Sequence, residues 1–332
     1  MVTIKEIAQK SGFSPSTVSR LLNNDTSLST SPETKKKIIN TALALGYDRK
    51  YIQTIIEKIA LLFWITDREE LEDIYFKEMR LNIEKYANEN NMELVIIKQE
   101  DGINTIPKDI NGFIAIGGFS EKEISKLKKI TPNGVFIDSN PDPDLFDSVQ
   151  PNTARITQKA IDYFVKNGHT NIGFIGGTYH NPNTNLEEKD IREISFRDYM
   201  LKLGLLNDNN IFIERHFSVD SGYKSAKKAI EDLKNNLPTA FFVASDPIAI
   251  GVLQALNEHN ISIPSRVSII SINNIDIAKY VSPPLSTFHI DINELCKTAI
   301  NLLSERIIEE RTLQKTIYLN SDLIIRKSFV IE

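Results

Sequence analysis

The sequence predicts an all-α helix-turn-helix head followed by an α/β clamshell of two doubly wound parallel-sheet subdomains. Three observations carry that prediction. The first fifty residues hold three short helices marked by caps, the rest of the chain alternates dense apolar strands with amphipathic helices, and charge divides between the two parts. Eight basic residues oppose four acidic ones in residues 1–50, a net +4, whereas the whole chain is −5, so the remainder carries −9. A basic head on an acidic body suits a phosphate-binding module joined to a part that stays off polyanions.

In the head, Thr3-Ile4-Lys5-Glu6 forms a capping box that opens one helix, and Gly12 ends it. Ser14 caps a second helix with Pro15 at its first position. Val18 and Leu21 or Leu22 turn to a small core, leaving Ser16, Thr17, Ser19 and Arg20 as a hydroxyl-rich, cationic outer face. A third helix starts at Ser31-Pro32, runs through Lys35-Lys36-Lys37-Ile38-Ile39 to Leu45, and stops at Gly46. Such a pattern is read either as an ordinary helical hairpin or as a major-groove reader, and the local positive charge favours the reader.

The remainder is read in order. Residues 48–58 lack turn signals and amphipathic order and are expected to be a linker. Ile59 to Ile65 is a buried parallel strand, residues 71–89 one helix, and Glu93 to Ile97 the next strand, a β-α-β unit. Strand 112–117, helix 121–128 and strand 134–138 continue the first half. Helix 153–166, strand 171–177, helix 191–203, strand 211–213, helix 221–235, strand 240–244, helix 246–259 and strand 267–272 make the second. After Pro283-Pro284, helix 293–308 and strand 315–320 are expected to return to the first half. The expected division is therefore a head over 1–47, a linker or atypical hinge over 48–58, and a body over 59–332. The body's first subdomain takes 59–152 and 288–320, its second 153–287 and 321–332. Two such sheets enclose a small-ligand cleft at the carboxyl ends of their strands.

Enzyme signals are weak. Gly117-Gly118 and Gly176-Gly177 follow strands without completing a dinucleotide fingerprint and read as turns, and there is no Walker loop or G-x-S-x-G elbow. His169, His180, His216, His259 and His289 lack metal-ligand spacing, so neither a metal nor another cofactor is expected. The lone Cys296 excludes an internal disulfide framework. No apolar run approaches a membrane span and the sequence opens on a capped helix, which points to the cytoplasm with no membrane partner. Asp138, Asp246 and Asn273-Asn274 end strands, where they either offer paired hydrogen bonds to vicinal hydroxyls or merely cap the next helix. Trp64 ends the first strand either as a core aromatic or as an apolar face for a sugar ring.

With these parts in place, the chain resembles the lactose/galactose repressor family of bacterial transcription regulators. The resemblance lies in Thr3-Ile4-Lys5-Glu6-Ile7-Ala8, in Ser14-x-x-Thr17-Val18-Ser19-Arg20-x-x-Asn23, in Thr34-Lys35 and in Leu45-Gly46-Tyr47. It continues in Lys166-Asn167-Gly168-His169, Ala244-Ser245-Asp246-x-x-Ala249-x-Gly251 and Pro283-Pro284-Leu285-Ser286-Thr287, and so spans essentially the full length. It implies a clamshell like that of periplasmic binding proteins. It also implies that Pro15, Ser16 and Arg20 meet base edges while Ser14, Thr17, Ser19, Asn23 and Thr34 hold phosphates. Arg192, Asp138, Asp246 and Asn273 then contact sugar hydroxyls, with Trp64 and Phe217 lining the pocket. Asn273 stands where the family usually has aspartate. Residues 22–29 and 67–75 look like the galactose-operon and evolved β-galactosidase branch, implying galactose or a β-galactoside as effector. The family's Pro-Asn and Ala-x-x-Leu hinge pattern is missing from 48–58, where Ile55 or Ile56 stands either as a substitute minor-groove wedge or as part of a connector.

The expectation is a homodimeric, sugar-responsive repressor of double-stranded operator DNA. An activator or global regulator answering another sugar or sugar phosphate is the second reading. An exported sugar-binding protein and a sugar-processing enzyme stand behind both, disfavoured by the head and by the missing catalytic constellation.

Overall fold

The structure, a computed structural model, describes residues 2–54 and 57–331. Ile55 and Ile56, the two candidate wedge residues, lie outside the described residues.

The head forms as its caps dictate. Helix α1 (Ile4–Ser11) carries the full Thr3–Glu6 capping box and ends on left-handed Gly12. Ser14 caps α2 (Pro15–Leu22) and Ser31 caps α3 (Pro32–Ala44), each with proline in the first turn. Ile7, Val18, Leu21, Leu22, Ile38, Ile39 and Ala42 close the core. Ile52 joins them fully buried, a contribution of about 1.5–3 kcal/mol, so residues 48–58 are not a free linker. Arg49–Tyr51 is a 3-10 turn, and the amide of Gln53 and hydroxyl of Thr54 donate to the carbonyls of Leu22 (2.6 Å) and Leu21 (2.7 Å). These carbonyls end α2 and have no partner within the helix, which is why the segment folds back onto them.

The first body sheet begins at β1 (Glu57–Trp64), two residues before the expected strand, and is followed by α4 (Asp67–Glu72), α5 (Ile74–Glu89) and β2 (Met92–Lys98). The expected single helix over 71–89 is broken at Asp73. Its extended backbone (φ −130°, ψ 108°) and its carboxylate, which accepts the amide of Tyr75 at 3.0 Å, end one helix and cap the next. Next come β3 (Gly112–Gly117), α6 (Glu121–Ile130), β4 (Gly134–Ile137) and β5 (Asp147–Pro151), the last too polar to read as a strand from sequence.

The second sheet is built from α7 (Thr153–Lys166), β6 (Ile172–Asn181), β7 (Leu186–Lys189), α8 (Ile191–Lys202), β8 (Ile211–Glu214), α9 (Val219–Leu233), β9 (Ala240–Val243), α10 (Asp246–Glu258), β10 (Ser268–Asn273) and β11 (Ser286–His289). Then α11 (Ile292–Ile308) and β12 (Thr316–Leu319) return to the first sheet, and β13 (Leu323–Ile324) to the second.

The orders are β12-β5-β4-β3-β1-β2, all parallel, and β13-β11-β10-β9-β6-β8, with β13 antiparallel and β7 forming a hairpin on the outer half of β6. Because β11 pairs with β10, the return crossover lies beyond His289 and not at the expected 287–288 boundary. In β1, Ile59, Leu61 and Phe63 face one layer while Ala60, Leu62 and Trp64 face the other. A strand covered on both faces has to be apolar at every position, the continuous run seen in the sequence.

Gly176-Gly177 is not a turn. Both residues lie inside β6, where a Cβ would come within 2.6 Å of the Phe174 ring or 2.8 Å of the Phe217 ring. Gly117 does end its strand, with φ +105°, and a Cβ there would meet the Trp64 carbonyl at 2.3 Å.

Head and body meet through one residue above all. Arg49 reaches into the first subdomain, donating to Glu57 (2.6 Å), to the carbonyl of Asn90 (3.0 Å) and to Ser304. Its own carbonyl accepts from Asn91 at 3.1 Å.

Candidate functional site

Two places concentrate polar chemistry. On the head, Ser16, Ser19, Arg20 and Asn23 recur at helical spacing along α2, opposite buried Val18, Leu21 and Leu22. Ser14, Pro15, Ser16, Arg20 and Asn23 are exposed, and Thr17 and Ser19 are half-buried. The Ser14 hydroxyl accepts the Thr17 amide (3.1 Å) and lies 3.0 and 2.8 Å from the hydroxyls of Ser16 and Thr17. Thr34 sits in the first turn of α3, its amide donating to Ser31. The α2 and α3 N-termini thus present hydroxyls and the positive ends of their dipoles together, which suits phosphate.

Arg20 is held in place. Its Nε donates to Asp25 (2.7 Å) and its Nη2 to Ser27 (2.7 Å). The hydrogen bonds of Ser27 and Arg20 hold the Asp25 carboxyl down to about 2, so this brace persists at any physiological pH. The sequence reading included Arg20 but not its brace.

In the body, Asp190 caps α8 and grips the Arg192 guanidinium bidentately, at 2.6 and 2.9 Å. Arg192 also donates to the Ala244 carbonyl (2.8 Å), and its guanidinium carbon stands 4.4 Å over the Phe217 ring. Asp138, left-handed at φ +67° just beyond β4, is open to cleft water yet otherwise walled by protein. That lost solvation pushes its carboxyl upward, and the nearby Arg192 pulls it back. Tyr75 is buried within electrostatic reach of Asp138, Asp73 and Arg192. Asn273 ends β10 in left-handed backbone at the same edge of the second sheet, paired with His289.

Arg192, Phe217 and Asp138 thus come together as expected. Asp73, Tyr75 and Asp190 join them and were missed, although an Asp two residues ahead of an Arg at a helix start is a readable signal.

Two expected contacts are corrected. Asp246 is 0% exposed, with one oxygen accepting the hydroxyls of Ser271 and Thr287 (2.7 Å) and the other the amide of Ile275 (2.9 Å). It locks β10, β11 and the 274–275 loop together and has no surface left for a ligand. The cap of α10 is Ser245, not Asp246. Trp64 is 4% exposed, its ring stacked on Phe119 (4.7 Å) and its N–H donating to Glu123 (2.9 Å), which makes it a core aromatic.

Burial pushes both Asp73 and Asp246 up to about 6. A carboxyl that titrates higher folded than unfolded favours folding most when protonated, and that stability is lost as pH rises through about 6. Lowering pH from 7.5 to 5.5 is expected to stabilise the protein by roughly 1–2 kcal/mol and raise Tm by a few degrees. A flat or falling Tm in scanning calorimetry would contradict this placement.

Residues 3–50 match the profile described as bacterial regulatory proteins, lacI family, and residues 161–329 the periplasmic binding protein-like domain. The HTH-type transcriptional regulator GanR of Bacillus subtilis is 56% identical over 328 residues, covering 99% of each chain. The chain belongs to the lacI family. Another relative in this family, the HTH-type transcriptional regulator LacR of Lactobacillus helveticus, is 41% identical over 99% of each chain. Among solved lacI-family structures, the operator-bound lac repressor dimer has a TM-score of 0.71 at 18% identity over 98% of each chain. A CelR–cellobiose complex has the same TM-score and identity, covering 99% of this chain and all of that one. Like other members, this lacI-family chain is a DNA-binding transcriptional regulator and not an enzyme. Among its described residues no helix is long and apolar enough to cross a membrane.

Proposed function

We propose that the protein is a cytoplasmic, homodimeric repressor of a galactose or β-galactoside utilisation operon, released from its operator by sugar. The observation that carries this is the union in one chain of an exposed hydroxyl-and-arginine helix face with a cleft built on the Asp190–Arg192–Phe217 group. The name of the relative LacR supports the sugar class.

In this reading Pro15, Ser16 and Arg20 face base edges, and Ser14, Thr17, Ser19, Asn23 and Thr34 hold phosphates. Arg192 and Asn273 bond sugar hydroxyls beside Phe217 from the second subdomain, and Asp138 does so from the first, on the side of Asp73 and Tyr75. Asp246 and Trp64 support the site from behind. One head makes few base contacts, so two act together on half-sites about one helical turn apart. Sugar binds one arrangement of the subdomains more tightly, and that differential affinity shifts the spacing of the heads.

The test uses operator selected from random DNA by the purified protein. Arg20→Ala is expected to weaken the selected site by about 1–3 kcal/mol and random DNA far less. Equal losses on both would reduce Arg20 to a phosphate contact.

A further inference from the structure

The hairpin formed by the outer half of β6 with β7, residues 178–189, has no part in either sheet's core. Its strands pair Thr178 with Lys189, Tyr179 with Glu188, His180 with Glu187 and Asn181 with Leu186, and every residue of β7 is exposed. It is nonetheless well braced. Glu187 accepts from Thr178 and Arg215 (3.1 Å) and pairs with His180 (3.0 Å), while Asn181 donates to Glu188 (2.6 Å).

Its tip crosses to the other subdomain. The side-chain oxygen of Asn183 accepts the backbone amide of Glu121 at 2.6 Å, the first residue of α6. That amide is one of the helix's donors left without an intrahelical acceptor, so the bond satisfies a standing need. Beside it, a Cβ on Gly118 would stand 3.8 Å from the Pro182 ring and 4.0 Å from the Tyr179 hydroxyl, which puts this face of the hairpin against the β3–α6 loop. The base of the hairpin adjoins the cleft group: Lys189 precedes Asp190, and Gly177 lies under the Phe217 ring that Arg192 covers.

We infer that this hairpin is a strap across the cleft mouth, clipped by Asn183 to α6, and that Tyr179 caps the outer end of a saccharide longer than one ring. From its base, β6 residues 178–181 extend about 13 Å, further than a single pyranose ring spans. The Tyr179 hydroxyl reaches Gly118, a position with no side chain, and 44% of the residue stays free, leaving ring surface to offer a ligand. The ligand class is therefore a disaccharide or longer, its inner ring at Arg192 and its outer ring under Tyr179. The cap rests on the sugar reading above, whereas the clip does not.

Two measurements test these parts separately. In hydrogen exchange on the sugar-free, full-length dimer, Asn183→Ala is expected to speed exchange in peptides 117–125 and 178–189 about tenfold, and unchanged exchange would overturn the clip. In calorimetry with galactose and lactose, Tyr179→Ala is expected to weaken lactose about tenfold, the upper range for one aromatic contact, and galactose less than twofold. Equal losses for both sugars, or no loss, would overturn the cap. A wild-type protein that bound neither sugar would overturn both the cap and the galactoside assignment, leaving the exchange result to decide the strap alone.

Discussion

Arg192→Ala is expected to abolish sugar-dependent release of DNA, weakening sugar binding about a hundredfold or more while leaving operator binding without sugar within about twofold. The guanidinium holds three things at once: the Asp190 carboxylate, the Ala244 carbonyl and the Phe217 ring. Removing it leaves Asp190 half-buried without its counter-ion, so a carboxyl now held below its usual range by Arg192 rises. Arg192→Lys keeps the charge but loses the planar fork and is expected to behave much like alanine. Fluorescence anisotropy of labelled operator, titrated with sugar, reads the effect directly. A variant that still released operator at wild-type sugar concentrations would remove Arg192 from the site.

Arg49→Ala is expected to cost about 3 kcal/mol of stability and to weaken operator binding, because the head is no longer pinned to the body. Glu57 is nearly inaccessible, and burial already pushes its carboxyl up against the opposing pull of Arg49. Without Arg49 the pull disappears, so the variant is expected to recover part of its loss as pH falls and Glu57 protonates. Among the described residues, one Glu57 oxygen and the Arg49 Nε have no hydrogen-bond partner, which places the cost at the lower end for a broken buried pair. The double variant Arg49→Met, Glu57→Leu is expected to regain most of the stability by packing. Urea denaturation decides the point, and an unchanged midpoint for Arg49→Ala would show that the clasp contributes nothing.

The clasp also bears on how the head is held. The segment lacks the family's hinge pattern, and its described residues place Ile52 in the head core and Arg49 in the body. On the proposed reading, Pro15 and Ser16 would offer few bonds to bases, so a braced Arg20 and a fixed head position would have more of the specificity to supply.

How much of this was legible varied with the range of the interactions. The caps of α1, α2 and α3 were readable because capping acts within three residues. Asp73 was not read as a helix break, since an Asp inside an apolar-periodic stretch is ambiguous until its carboxylate is seen on the Tyr75 amide. Asp138 and Asp246 looked alike, each a carboxylate at the end of a parallel strand. They differ because Ser271, Ile275 and Thr287, at least 25 residues along the chain, roof Asp246 over and leave Asp138 open. Trp64 was balanced between core and cleft until Phe119 and Glu123 took its ring and its N–H. The β6–β7 hairpin gave no signal, because Leu186 to Lys189 is exposed and mostly charged, with no apolar face to mark it as a strand.

The sequence by itself determined the helix-turn-helix head, the alternating β/α body and the polar face exposed along α2. These follow from local capping and from hydrophobic periodicity, which act within one or two turns or a single strand. Only the tertiary structure decided which strand-end carboxylate stays open, which aromatic is core, where Arg49 clasps and what the hairpin crosses. Each of those turns on residues distant in the chain that meet only once strands, helices and loops have packed together.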